Sequence, residues 1–86
     1  MNIRFTPGAL EDFNWWKDHL PEKAERVKKL LANVMETPFS GIGKPEPLLY
    51  ELSGYWSRRI DREHRLLYRI DGDNLIVIYC RYHYQK

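Results

Sequence analysis

Six of the eight arginines of this chain fall in its second half. Five of them lie along three stretches that read as strands: Arg58 and Arg59 in Ser53–Ile60, Arg65 and Arg69 in His64–Ile70, and Arg81, with His83, in Leu75–Tyr84. Alternate side chains of a strand face opposite ways, so Arg58 and Arg59 are expected on opposite faces. A guanidinium is a planar fork that fits phosphate oxygens, and a sheet carrying this many suits an anion. Upstream, Glu46 stands between Pro45 and Pro47. Each proline fixes its own φ and pushes the residue before it toward extended geometry, so this carboxylate rides on a stiff segment. One carboxylate, one imidazole and several guanidiniums are enough to cut RNA without a metal. A base takes the 2′-hydroxyl proton, an acid protonates the departing 5′-oxygen, and cations hold the charge on the pentacoordinate phosphorus. Glu46 suits the base, His83 the acid, and Arg65 with Arg59 or Arg81 the phosphate clamp. A carboxylate ringed by guanidiniums is a weak base unless the substrate phosphate neutralises them or a partner supplies the base. The competing account is a solvated, charged sheet face.

The elements that must hold these groups are legible in outline. Asn2–Phe5 alternates and reads as a short strand. Thr6 then suits an N-cap and Pro7 the first helical position, with Glu11 and Asp12 placed for the positive end of the helix dipole. Ala9, Phe13, Trp16 and Leu20 mark one face of this helix, and Pro21 interrupts it. A second helix follows, with Ala24, Val27, Leu31 and Val34 at intervals of three and four. Lys28 and Lys29 are on its solvated side, and His19 at the junction is structural. Residues 37–47 hold two glycines and three prolines and form a loop, long enough for a functional role. The remainder reads as an antiparallel meander: Leu48–Leu52, Tyr55–Ile60, His64–Ile70 and Leu75–Tyr82. Leu66, Tyr68 and Ile70 form one face of the third of these, and Ile76, Ile78 and Cys80 one face of the last. Pairing those sets needs even residues opposite even ones, which a three-residue loop at 71–73 with a glycine bulge provides. The same parity at 61–63 sets Arg59 opposite Arg65, with Arg81 and His83 on their face. Like charges directly across a sheet repel, so nearby acids or a polyanion must compensate. The expected class is α+β, with both helices on one face of the sheet and the site on the other.

A chain of 86 residues is one domain, residues 1–86, with a thin core: on folding it buries roughly 60–65% of its unfolded surface. Net charge is +2, carried entirely by residues 44–86, a modest nucleic-acid signal. The longest apolar runs are too short for a bilayer and the start lacks a secretory signal, so the expected location is the cytoplasm. Cys80 is the single cysteine and reads as a small buried hydrophobe. His64 reads as structural, and Tyr55 and Trp56 as packing rather than base-stacking groups. Tyr84 could stack on a base, donate a hydrogen bond or pack inward. No metal-ligand spacing, phosphate-binding glycine loop or Ser/His/Asp arrangement is present, so no metal or cofactor is expected.

Several segments carry a resemblance. Thr37-Pro38-Phe39, Gly43-Lys44-Pro45-Glu46-Pro47-Leu48, Leu52-Ser53-Gly54, Trp56-Ser57-Arg58-Arg59-Ile60, Glu63-His64-Arg65-Leu66 and Cys80-Arg81-Tyr82-His83-Tyr84 together resemble the YoeB/Txe toxins of bacterial toxin–antitoxin systems, within the RelE/ParE group. The resemblance runs almost end to end. It implies a ribosome-dependent endoribonuclease that cuts messenger RNA in the A site and inhibits translation. It also implies a YefM-like antitoxin with an acidic, partly disordered C-terminal segment, and allows a homodimer. It carries the general base onto Glu46, the general acid onto His83 and phosphate stabilisation onto Arg65. Arg59, Arg81, Lys44 and Tyr84 are then substrate-binding candidates. Two departures stand out: Leu49 occupies a position that is basic in many relatives, and Gln85-Lys86 follow the His-Tyr pair at which relatives commonly end. Two rival readings share the scaffold, a non-catalytic ParE-like gyrase inhibitor and a plain RNA- or protein-binding module.

Overall fold

Thr6 joins the first strand to the first helix and ties both to the chain's last strand, which lies beside the first. Its hydroxyl oxygen accepts the Ala9 N–H at 3.1 Å as an N-cap, while its O–H donates to the Ile78 carbonyl at 2.9 Å. The computed structural model describes residues 1–82. Its elements are β1 (Asn2–Phe5), α1 (Pro7–His19), α2 (Pro21–Glu36), β2 (Glu46–Pro47), a single 3₁₀ turn (Tyr50–Leu52), β3 (Trp56–Arg59), β4 (Arg65–Asp71) and β5 (Asn74–Tyr79). Among the described residues the strands form one mixed sheet in the order β1-β5-β4-β3-β2, with β1 parallel to β5 and the other pairs antiparallel. This is the α+β class expected from the sequence.

Both helices open on proline, whose missing N–H costs nothing at the first helical position. The break at Leu20, forced by Pro21, turns the chain so that α2 lays Ala24, Val27, Leu30, Leu31 and Val34 into the core. They meet Ala9 and Trp16 of α1 and Ile60, Leu66, Tyr68, Leu75, Val77 and Cys80 from the sheet side. Leu20 itself is exposed, a correction to the expected apolar stripe. The first turn of α1 carries no acid; Asp12 lies further along, and its carboxylate accepts the Cys80 N–H at 3.1 Å instead of serving the helix end.

The β4–β5 hairpin departs from the expected register. Asp71 pairs with Asn74, leaving the two-residue loop Gly72-Asp73, with Gly72 at φ +59°. Ile70 therefore faces Leu75 and Tyr68 faces Val77, so Leu75 and Val77 enter the core in place of Ile76 and Ile78. A bulge at Leu67/Tyr68 then leaves Ile78 unpaired and sets Leu67 against Tyr79. Beyond it the parity is the one the sequence demanded, and Cys80 is buried. The displaced Ile78 carbonyl is the one that Thr6 takes up, which compensates the break in the ladder.

The predicted strand Leu48–Leu52 is also corrected. Pairing starts earlier and is short: Glu46 faces Ser57 and Pro47 faces Trp56. Leu48 donates its N–H to the Tyr55 carbonyl at 2.9 Å, and the chain then winds into the 3₁₀ turn with Tyr50 at φ +58°. Ser53 and Gly54 precede β3 rather than belonging to it.

Candidate functional site

Pairing places the candidate residues before any side chain is considered. Glu46 is opposite Ser57, Ser57 opposite Leu67, and Arg59 opposite Arg65. Residues directly opposite share a face, and residues two apart along a strand do too, so Glu46, Ser57, Arg59 and Arg65 stand on one face of the sheet. Ser57 and Arg59 are about 7 Å apart along β3, and paired side chains about 5 Å apart across it. A carboxylate and two arginines are thus carried on one face by three neighbouring strands. Glu46 and Arg59 are exposed and Arg65 is half-buried. The like-charged pair expected from the sequence is present.

The two arginines are held by separate devices. Arg65 folds onto the turn before it: its Nη1 donates to the carbonyls of Asp61 at 2.9 Å, His64 at 3.1 Å and Arg62 at 3.3 Å. That uses one corner of the guanidinium, whose other N–H groups have the geometry for a planar oxyanion. The turn is fixed by Asp61, whose Oδ1 accepts the N–H groups of Glu63 at 2.8 Å and His64 at 2.7 Å while Oδ2 pairs with Lys23 at 3.1 Å. Burial pushes the Asp61 carboxyl up, but the His64 N–H, Lys23 and the Glu63 N–H together outweigh it and hold the group below its ordinary value. The backbone of Arg59 is clamped on both sides, its N–H donating to the Gly43 carbonyl at 2.7 Å and its carbonyl accepting Arg26 Nη2 at 3.1 Å.

Arg58 points the other way, as strand alternation requires, and is completely buried. All five of its N–H groups are used: Nε on the Tyr68 hydroxyl (3.1 Å), Nη1 on Asn33 Oδ1 (2.6 Å) and the Ile42 carbonyl (3.1 Å), and Nη2 on the carbonyls of Thr37 and Ser40 (both 2.7 Å). The Tyr68 hydroxyl donates in turn to the Pro38 carbonyl at 2.7 Å. Four carbonyls of residues 37–42 therefore converge on one charge and one phenol. This hub shapes the loop that delivers Lys44 and Glu46. Gly43 completes it: at φ +81°, a β-carbon there would sit 2.7 Å from Leu30 Cδ2. The sequence reading missed the hub, although Arg58 between Trp56 and Ile60 at two-residue spacing was the available signal.

The other candidates divide. Lys44 is exposed, at φ +52°, two residues before Glu46. Arg81 lies past the end of β5 and turns to α1, where its guanidinium is 3.7 Å from the centre of the Trp15 ring and 4.6 Å from that of Tyr82. Its contacts are thus with α1 and its own neighbour rather than with the Arg59–Arg65 pair. His83 and Tyr84 lie outside the described residues. Trp56 packs, its ring 4.9 Å from Phe39 and against the core. His19 is structural, stacked on Trp15 at 4.3 Å with Nδ1 2.9 Å from the Trp15 carbonyl. Among the described residues no group of three or more His, Cys, Asp or Glu side chains could hold a metal ion, and no helix is long and apolar enough to cross a membrane.

Comparison with known proteins gives one consistent result. The family described as the YoeB-like toxin of bacterial type II toxin–antitoxin systems matches residues 5–84. The toxin YoeB of Mycobacterium bovis is 52% identical over 83 residues, 96% of this chain and 98% of that protein. Two solved structures from Staphylococcus aureus, a YoeB dimer and a heterotetrameric YoeB–YefM toxin–antitoxin complex, are each 39% identical and cover 98% of both chains, with TM-scores of 0.92 and 0.90.

Proposed function

We propose that this chain, which belongs to the YoeB-like toxin family of bacterial type II toxin–antitoxin systems, arrests translation by cutting messenger RNA in the A site of the ribosome. The observation that carries the reading is the shared face of Glu46, Arg59 and Arg65, fixed by backbone pairing. Glu46 takes the proton of the 2′-hydroxyl. The 2′-oxygen bonds to phosphorus, the bond to the 5′-oxygen breaks, and His83 gives that oxygen its proton. The products are a 2′,3′-cyclic phosphate and a free 5′-hydroxyl. Arg65, with Arg59, holds the charge that grows on the non-bridging oxygens, and Lys44 and Tyr84 steady the message. No metal enters the scheme.

A YefM-like antitoxin is the natural counterpart. The repulsion between Arg59 and Arg65 that a substrate phosphate relieves would equally be relieved by an acidic segment laid over them. The ribosome as partner makes the cytoplasm the site of action.

Primer extension on translated messages tests the reading. Wild type produces cuts within codons. Glu46→Gln slows them by about 10²–10⁴-fold, the usual worth of a general base. Arg65→Met slows them by about 10²–10³-fold, by analogy with the loss of a preorganised charge stabiliser. Intact messages together with DNA damage would assign the chain to the gyrase inhibitors. Binding without cutting, indifferent to Glu46→Gln, would make it a recognition module.

A further inference from the structure

β5 ends at Tyr79, yet Cys80 and Tyr82 just beyond it each have both backbone groups hydrogen-bonded. Cys80 gives its N–H to Asp12 at 3.1 Å, and its carbonyl accepts the Trp16 indole N–H at 2.7 Å. Tyr82 gives its N–H to Nδ1 of His64 at 2.7 Å, and its carbonyl accepts the Arg65 N–H at 3.0 Å. Tyr82 takes φ +68°, a left-handed conformation that bulky residues rarely adopt and that needs holding in place. The His64 ring does more than accept one bond. It stands edge-on to Trp16 at 4.8 Å and tilted against Tyr82 at 5.9 Å, so helix, imidazole and tyrosine form one packed column. A backbone N–H can only donate, so Nδ1 must present its lone pair, and the neutral ring carries its proton on Nε2.

We infer that His64 is a positioning residue: by holding Tyr82 it fixes the point from which the chain continues to His83. It joins Tyr82 to the same turn that carries Arg65. The catalytic consequence rests on the ribonuclease reading above, whereas the anchoring itself rests on geometry alone. His64 touches no reacting atom in this scheme.

The test compares full-length wild type, His64→Asn and His64→Leu on ribosomes bearing a defined message, under single turnover with enzyme in excess. Asparagine offers an oxygen acceptor near the position of Nδ1, whereas leucine fills the space and accepts nothing. His64→Leu is expected to lower the cleavage rate at saturation by about tenfold or more, with the half-saturating enzyme concentration changing by less than about twofold. His64→Asn is expected to recover the rate to within about threefold of wild type. Equal losses in both variants, or wild-type rates in both, overturn the inference. Amide exchange at Tyr82 is the second readout: protection is lost in His64→Leu and kept in His64→Asn, and equal protection in the two also overturns it. If the exchange pattern is as expected but wild type cuts no message, the anchor stands and the ribonuclease reading falls.

Discussion

Arg58 is the residue on which the rest of the site depends, although it touches no substrate in this account. A buried guanidinium is tolerable when every N–H finds an acceptor, and here carbonyls, an amide and a phenol serve in place of a carboxylate. Arg58→Lys keeps the charge but offers three donors in place of a five-donor fork, leaving buried acceptors unpaired. It is expected to cost about 3 kcal/mol, and Arg58→Met about 3–5 kcal/mol, read as a fall in the urea midpoint with faster amide exchange in residues 37–45. Unchanged stability in both would mean that the loop is held by something else. Cys80 gives the opposite lesson, since its plain sequence reading as a buried hydrophobe is correct. Burial, and then the nearby Asp12 carboxylate, push its thiol up to about 12, so the nucleophilic thiolate is essentially unpopulated at neutral pH. Alkylation at pH 8 is expected to proceed only at the rate of unfolding and to accelerate in urea; rapid labelling of the native chain would contradict the burial.

The elements were legible where one period ruled and illegible where two devices cancelled. Thr6-Pro7, Leu20-Pro21 and the spacing of Ala24, Val27, Leu31 and Val34 marked both helices correctly. The β4–β5 hairpin did not yield to the same logic. A two-residue turn and a later bulge restore the parity that one three-residue loop would have given, and alternation alone cannot tell the two solutions apart. Strand β2 was misplaced for a related reason: Leu48–Leu52 is apolar enough for a strand, but pairing is confined to Glu46 and Pro47. The Arg59–Arg65 pairing came out right because the 61–64 turn is fixed locally by Asp61. The same carboxyl gives a pH prediction. Its folded value is depressed, so the stability it contributes is present above the ordinary carboxylate range near 4 and is lost as the pH falls through the lower folded value. Asp61→Asn is therefore expected to lower stability by about 0.5 kcal/mol at pH 7, the worth of a partly exposed ion pair with Lys23, and the difference should close once the pH falls below the depressed folded value. A gap that persists in acid would mean that the amide fails as an acceptor and that charge is not the cause.

The molecule as a whole joins a helical layer that carries much of the core to a sheet whose β2–β4 side carries the candidate site. With a core this thin, the same few residues serve both ends. Trp16 packs in the core and holds Cys80, Tyr68 fills the interior and ties the site loop, and His64 stands between α1 and the chain's last described residue. Residue types alone pointed to Glu46, Arg59 and Arg65, which share a face of the sheet, but not to Arg58, Tyr68 and His64, whose contacts hold the segments around them. Those contacts are long-range and mostly to backbone atoms, and beyond the strand alternation that turns Arg58 inward they leave no spacing in the sequence. The central claim is attack by the message's own 2′-hydroxyl, driven by these side chains. The direct measurement is the single-turnover rate on ribosomes programmed with a message carrying one 2′-deoxynucleotide at the position cut in the all-ribose control. Cleavage at that position is expected to disappear while the enzyme still binds the complex. Cleavage of the deoxy-substituted message at the undiminished rate would contradict that claim, and with it the roles given to Glu46 and His83.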